Sequence, residues 1–174
     1  MYSDFNMPNY YGFDNYDYRQ DFNFQNSNQQ NMYSGEIITF NQAVDLIRQS
    51  VGGEKEDELF YDLLIEQAPT EKEKNIITSI RDDERKHNKI LRDLYFNFTG
   101  NFVPQNMTTP NINTKLSYYE NLEKALFGEL NAVKKYRKIL GTMPSGNSYT
   151  LLMSIMTDEL RHASLYNFLI HNAK

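Results

Sequence analysis

The chain contains no cysteine. That excludes a disulfide framework, thiol chemistry and any metal site built on thiolates. It has no apolar run long enough to span a bilayer. Its N-terminus carries neither the basic nor the apolar part of a secretory signal, so a cytoplasmic location and no membrane partner are expected. Positive charge is not in excess: 18 Lys and Arg stand against 23 Asp and Glu, a net charge of -5 with a pI near 5.2. That balance argues against a nucleic-acid partner. Residues 1–36 contain no Leu, Ile, Val or Ala. Without aliphatic side chains this segment cannot bury a core of its own, and it reads as a low-complexity Tyr/Asn/Gln-rich tail, disordered when alone. Its aromatic residues, Tyr10, Tyr11, Tyr16 and Tyr18 among them, suit self-association or docking on a surface. A solvated tail with no specific role is the other reading.

From Ile37 to Lys174 the composition changes to that of a folded unit. Thr39 with Gln42, and Thr70 with Glu73, form capping boxes that start helices. Apolar residues at Phe40, Val44, Ile47, Val51, Tyr61, Ile65 and Ala68 recur every three or four positions, one face of a first helix ended by Pro69. A second helix presents Ile77, Ile80, Leu91, Leu94 and Phe98 and stops at Gly100 and Pro104. Residues 99–114 carry Gly, Pro, Asn and Thr without periodicity, a long connection of the kind that crosses a bundle end to end. A third helix presents Tyr119, Leu122, Leu126, Val133 and Leu140, with Gly141 as its C-cap. After a short loop at Pro144-Ser145-Gly146 the fourth presents Leu152, Ile155, Tyr166 and Leu169. The expected fold is all-α, a four-helix bundle with one long crossover, preceded by the tail.

Two stretches of this unit repeat each other at an offset of 75 residues. The first carries Glu54, Tyr61, Pro69, Glu84 and His87; the second carries Glu129, Tyr136, Pro144, Glu159 and His162. Each Glu pair lies symmetrically about its proline, 15 residues to either side. In an antiparallel pair turning at that proline, both members sit about 22 Å from the turn. Glu84 and His87, like Glu159 and His162, are spaced i, i+3 and share a face. They interrupt apolar stripes at core positions. Burying an ionised carboxylate without a partner costs several kcal/mol, and four together demand compensation. Two divalent cations bring that charge. Mixed carboxylate and imidazole ligands suit iron or manganese, whereas zinc prefers fewer ligands and tetrahedral sites.

The symmetry predicts that Glu84 and Glu159 bridge two ions, with Glu54 and His87 on one and Glu129 and His162 on the other. Metal-bound imidazoles usually donate their other N–H to a carboxylate, which predicts Asp83 beside His162 and Asp158 beside His87. Surface Asp is the alternative. Tyr61 and Tyr136, two turns from Glu54 and Glu129, either bond a ligand carboxylate or take part in electron transfer, or are core tyrosines with satisfied hydroxyls. Glu58 has Val133 as its counterpart and reads either as the end of a polar face with Glu56 and Asp57 or as an extra carboxylate near the site. His171 has no counterpart and reads as surface.

Glu54, Glu84-Arg85-Lys86-His87, Glu129 and Glu159-Leu160-Arg161-His162 together resemble the ferritin-like di-metal carboxylate superfamily, in its rubrerythrin-like branch, over residues 37–174. The resemblance implies a buried di-iron or di-manganese centre that reacts with peroxide or O2. It departs from rubrerythrins in having no four-cysteine rubredoxin module, so electrons would come from an external donor or from Fe(II) itself. Rubrerythrins also carry an additional Glu where this chain has Ala132. No fifth helix follows the fourth, which disfavours a cage and leaves a homodimer as the expected assembly. Two other functions compete with a redox enzyme: iron handling without catalysis, and a structural role of the spore-coat kind in which the tail mediates assembly.

Overall fold

The computed structural model of the chain describes residues 38–52, 54–104 and 115–173, without the side chains of residues 54–57. The tail, the middle of the expected crossover and the side chain of Glu54 therefore lie outside the described residues. Five helices form: α1 (Phe40–Val51), α2 (Glu54–Gln67), α3 (Glu71–Thr99), α4 (Tyr118–Leu140) and α5 (Asn147–Asn172). No strand occurs among the described residues, and no helix there is long and apolar enough to cross a membrane.

The continuous first helix expected from periodicity is in fact two. It breaks at Gly52, the C-cap of α1, because a glycine disfavours a helix interior by about 1 kcal/mol relative to alanine. Gly52 caps α1 by donating its N–H to the Gln49 carbonyl at 3.1 Å. Both halves pack on α3 and α4, so α1 and α2 together make one arm of a four-armed bundle. The burial stripe also shifts by one residue in places. Ala43 and Leu64 are fully buried, while Phe40 is exposed and Ile65 half-buried.

Capping boxes start α1 at Thr39 and α3 at Thr70, and a third, Ser117 with Glu120, starts α4. Gly100 ends α3 at φ 70, a left-handed backbone that glycine adopts without penalty.

Direction follows from cross-helix pairs. Gln67 bonds Asn121, Tyr61 reaches Glu129, and Arg81 pairs with Asp62. The first arm is thus antiparallel to both α3 and α4. Both α3 and α4 start at the Pro69 end, so the chain joining them connects opposite ends of the bundle. The Pro144 turn lies at the far end. Two apolar clusters result, one around Ile47, Leu94, Ile139 and Leu152, the other around Leu64, Ile77, Leu122 and Leu169. Between them lies a polar layer.

Candidate metal centre

Every described Glu and His of the duplicated set falls in that layer. Glu84, Glu129, Glu159 and His162 each place one ligand atom so that all four atoms lie within 4.8 Å of one another, a group that could hold a metal ion. His162 Nδ1 lies 3.0 Å from Glu84 Oε1, 3.6 Å from Glu129 Oε2 and 3.9 Å from Glu159 Oε2. His87 Nδ1 lies 3.5 Å from Glu84 and 3.6 Å from Glu159. Glu84 and Glu159 therefore stand between the two imidazoles, whose ring centroids are 5.8 Å apart. His162 and Glu159 are essentially inaccessible, at 0 % and 2 % exposure.

These close approaches are not hydrogen bonds. Glu84 Oε1, His87 Nδ1 and His162 Nδ1 are buried without a hydrogen-bond partner in the protein. Leaving such groups unpaired costs about 1–3 kcal/mol each. Three of them aimed into one small volume is the pattern of atoms directed at a common ligand. The chemistry of the donor set agrees, being imidazole nitrogen and carboxylate oxygen with no sulfur.

Each outer ring nitrogen faces an Asp, that of His87 at hydrogen-bond distance and that of His162 beyond it. His87 Nε2 lies 3.2 Å from Asp158 Oδ2, and His162 Nε2 lies 3.6 Å from Asp83 Oδ2. The cross-axis placement of both Asp residues follows the spacing of the repeat. Arg161, which sequence reasoning passed over, bonds both Asp83 and Asp158 and lies beside His162 Nε2. Its counterpart in the repeat, Lys86, bonds Asp83 at 2.9 Å. A basic residue just before each His was the signal available for this pair.

The charges show the same demand. Burial, together with Glu129 and Glu84 close by, holds the Glu159 carboxyl well above the usual range. Burial also opposes ionisation of Glu84, but the two imidazoles outweigh it and hold this carboxyl low. For His162 burial would favour the neutral ring, yet the surrounding carboxylates raise its pKa. His87 is raised in the same way by Glu84, Glu159 and Asp158. The cluster requires positive charge, from protons or from a cation. Asp83 is depressed to about 2: burial works against it, and Lys86 and Arg161 prevail.

Tyr61 donates to Glu129 Oε1 at 3.4 Å. Tyr136 is equally buried, and its hydroxyl is raised by burial and by Glu159 and Glu84. Tyr166, read from the sequence as a core residue, is fully buried with an unpaired hydroxyl, raised by burial and by Glu129. Glu58 is half-exposed and ion-pairs with Arg85 across α2 and α3 rather than reaching the centre.

No family model and no curated protein matches the chain. Among solved structures, a hypothetical protein from Pyrococcus furiosus is similar at a TM-score of 0.64 and 19% identity, over 77% of this chain and 94% of that one. The likeness shows the helical fold.

Proposed function

We propose that this chain is a ferritin-like di-metal carboxylate protein of the rubrerythrin-like branch, an oxidoreductase that reacts with peroxide or O2. Two iron ions, with manganese as the alternative, would be held by Glu54, Glu84, His87, Glu129, Glu159 and His162. The observation that carries this reading is the pair of buried, unpartnered His87 and His162 Nδ1 atoms facing Glu84 and Glu159. Bound there, the metals would polarise oxygen ligands and supply electrons. The protein's share is positional. Asp158 and Asp83 fix the ring orientation of the two imidazoles, Tyr61 steadies Glu129, and the apolar clusters on either side exclude water.

The test is anaerobic loading with Fe(II) followed by peroxide. Oxidation of the bound Fe(II), with repeated turnover when a reductant is present, supports an enzyme. A single stoichiometric oxidation supports iron handling without catalysis. The Glu84→Ala variant should lose both metal and reaction, and retention of stoichiometric metal by it would refute the site.

The tail favours a second, compatible role in assembly, in a cytoplasmic or spore-coat setting, since 10 of its 36 residues are aromatic. In that reading the full chain self-associates and residues 37–174 alone do not. Identical sedimentation of the two would remove it.

A further inference from the structure

The ligand set repeats between the two halves, but its surroundings do not. A cavity of about 290 Å³ lies against Glu84 and His87, between the first arm and α3. Tyr61 and Tyr136, which correspond in the repeat, both line it. The remaining lining does not correspond. Ser50, Glu58 and Arg81 face the cavity where the other half has Ala125, Val133 and Met156. Arg85, Asn88 and Leu91 stand where the other half has Leu160, Ala163 and Tyr166.

Five polar or charged positions on one side are thus apolar on the other. At the sixth, Leu91 leaves space where the larger Tyr166 is fully buried. One side of the centre is lined for hydrated species; the other is apolar, with Ala125, Ala163 and Tyr166 buried. A path that strips water from an ion or a polar reactant must replace its hydrogen bonds, and only the first side offers them.

The outer end of the cavity carries Glu58, Arg81 and Arg85. Arg85 pairs with Glu58, and Arg81 with Asp62 and Asp82. Arg85 and Glu58 are 52% and 47% exposed. Pairs this exposed are worth about 0–1 kcal/mol, so parting them costs little. With Asp62 and Asp82, the partners of Arg81, the mouth's acids number three against two bases, so it does not select for anions.

We propose that this cavity is the entrance to the metal centre, that hydrated divalent cations load through it past the Glu58–Arg85 pair, and that the α4–α5 side is closed. The inference rests on the metal-site reading above. It assigns to Ser50, Asn88 and Leu91 the control of access, a role separate from holding the metal.

Because the chain has no native cysteine, a single thiol can report on each side. Ser50→Cys and its counterpart Ala125→Cys would be treated with a small methanethiosulfonate reagent, and Co(II) uptake followed by its visible absorption. The Ser50→Cys thiol should react at least about tenfold faster than the Ala125→Cys thiol, as access to a thiol governs its rate. Once labelled, Ser50→Cys should take up Co(II) at least about tenfold more slowly, to an unchanged final amount. Leu91→Tyr, which places the other half's residue in the cavity, should slow uptake likewise, and Tyr166→Leu should not speed it. Equal thiol reactivity on the two sides, or uptake unaffected by the label, would overturn the entrance. Absence of Co(II) binding by the unmodified protein would instead overturn the metal site, while the thiol comparison still decides which side is open.

Discussion

At the residue scale the chain holds a buried group of carboxylates that demands positive charge, from protons or from a cation. Glu159 is the clearest case, 2 % exposed with its carboxyl held up to about 9 by burial, Glu129 and Glu84. Glu159→Gln should therefore abolish metal binding yet stabilise the metal-free protein at pH 8 by about 1–3 kcal/mol, since folding no longer has to keep protonated a carboxyl that is ionised in the unfolded chain. Chemical denaturation of both metal-free forms checks this. The pH dependence has a definite sign. A carboxyl raised from 4.5 contributes stability that is complete below 4.5 and lost as pH rises through about 9. His162, raised from 6.5 to about 11, contributes stability complete below 6.5 and lost as pH rises through about 11. Glu84, lowered to about 2, acts in the opposite sense but below pH 4.5. The metal-free Tm should fall between pH 5 and 9, and the metal-loaded Tm should rise over the same window, because ligands bind metal deprotonated. Calorimetry across that range gives both curves. Glu84, His87, Glu129, Glu159 and His162 were legible in the sequence because polar residues in an apolar stripe violate the pattern. Arg161 and Tyr166 were not, since basic residues beside a seam and tyrosines within one are ordinary.

At the scale of elements, the helices follow their caps closely and their periodicity less well. Thr39, Thr70 and Ser117 each mark a helix start with a bonded capping box. The break at Gly52 was hidden because Val51 and Tyr61 on either side stay on one buried face, so the stripe continues across it. Two of the glycines that cap helices, Gly52 and Gly100, should respond oppositely to alanine. Gly52 sits at φ -69, ψ -20, helical values open to any residue, so Gly52→Ala should stabilise by about 0.5–1 kcal/mol. Gly100 sits at φ 70 with nothing near its missing Cβ. Gly100→Ala should destabilise by about 1 kcal/mol through backbone strain alone. Thermal melts of the two variants test the pair. Within the core, Leu122→Ala beside the centre should cost about 2–5 kcal/mol, as Leu122 is fully buried.

At the scale of the molecule, the architecture explains how two hairpins make one site. The Pro69 and Pro144 turns lie at opposite ends, and α3 of 29 residues is about 43 Å long. A Glu pair about 22 Å from either turn therefore falls in the same middle layer. For Glu84, Glu129 and Glu159 this much was legible from their spacing about the prolines; the side chain of Glu54 lies outside the described residues. The asymmetry of that layer's surroundings was not legible, because it emerges only when Ser50, Asn88 and Leu91 are seen to line one cavity. The central claim, that the duplicated set is a two-metal centre, is met most directly by titrating metal-free protein with Fe(II) or Mn(II) under anaerobic conditions and counting bound ions. The account predicts about two ions per chain, with stoichiometric binding lost in Glu84→Ala and in Glu159→Ala. Binding of no metal by the unmodified chain, or of the same amount by both variants, would contradict it.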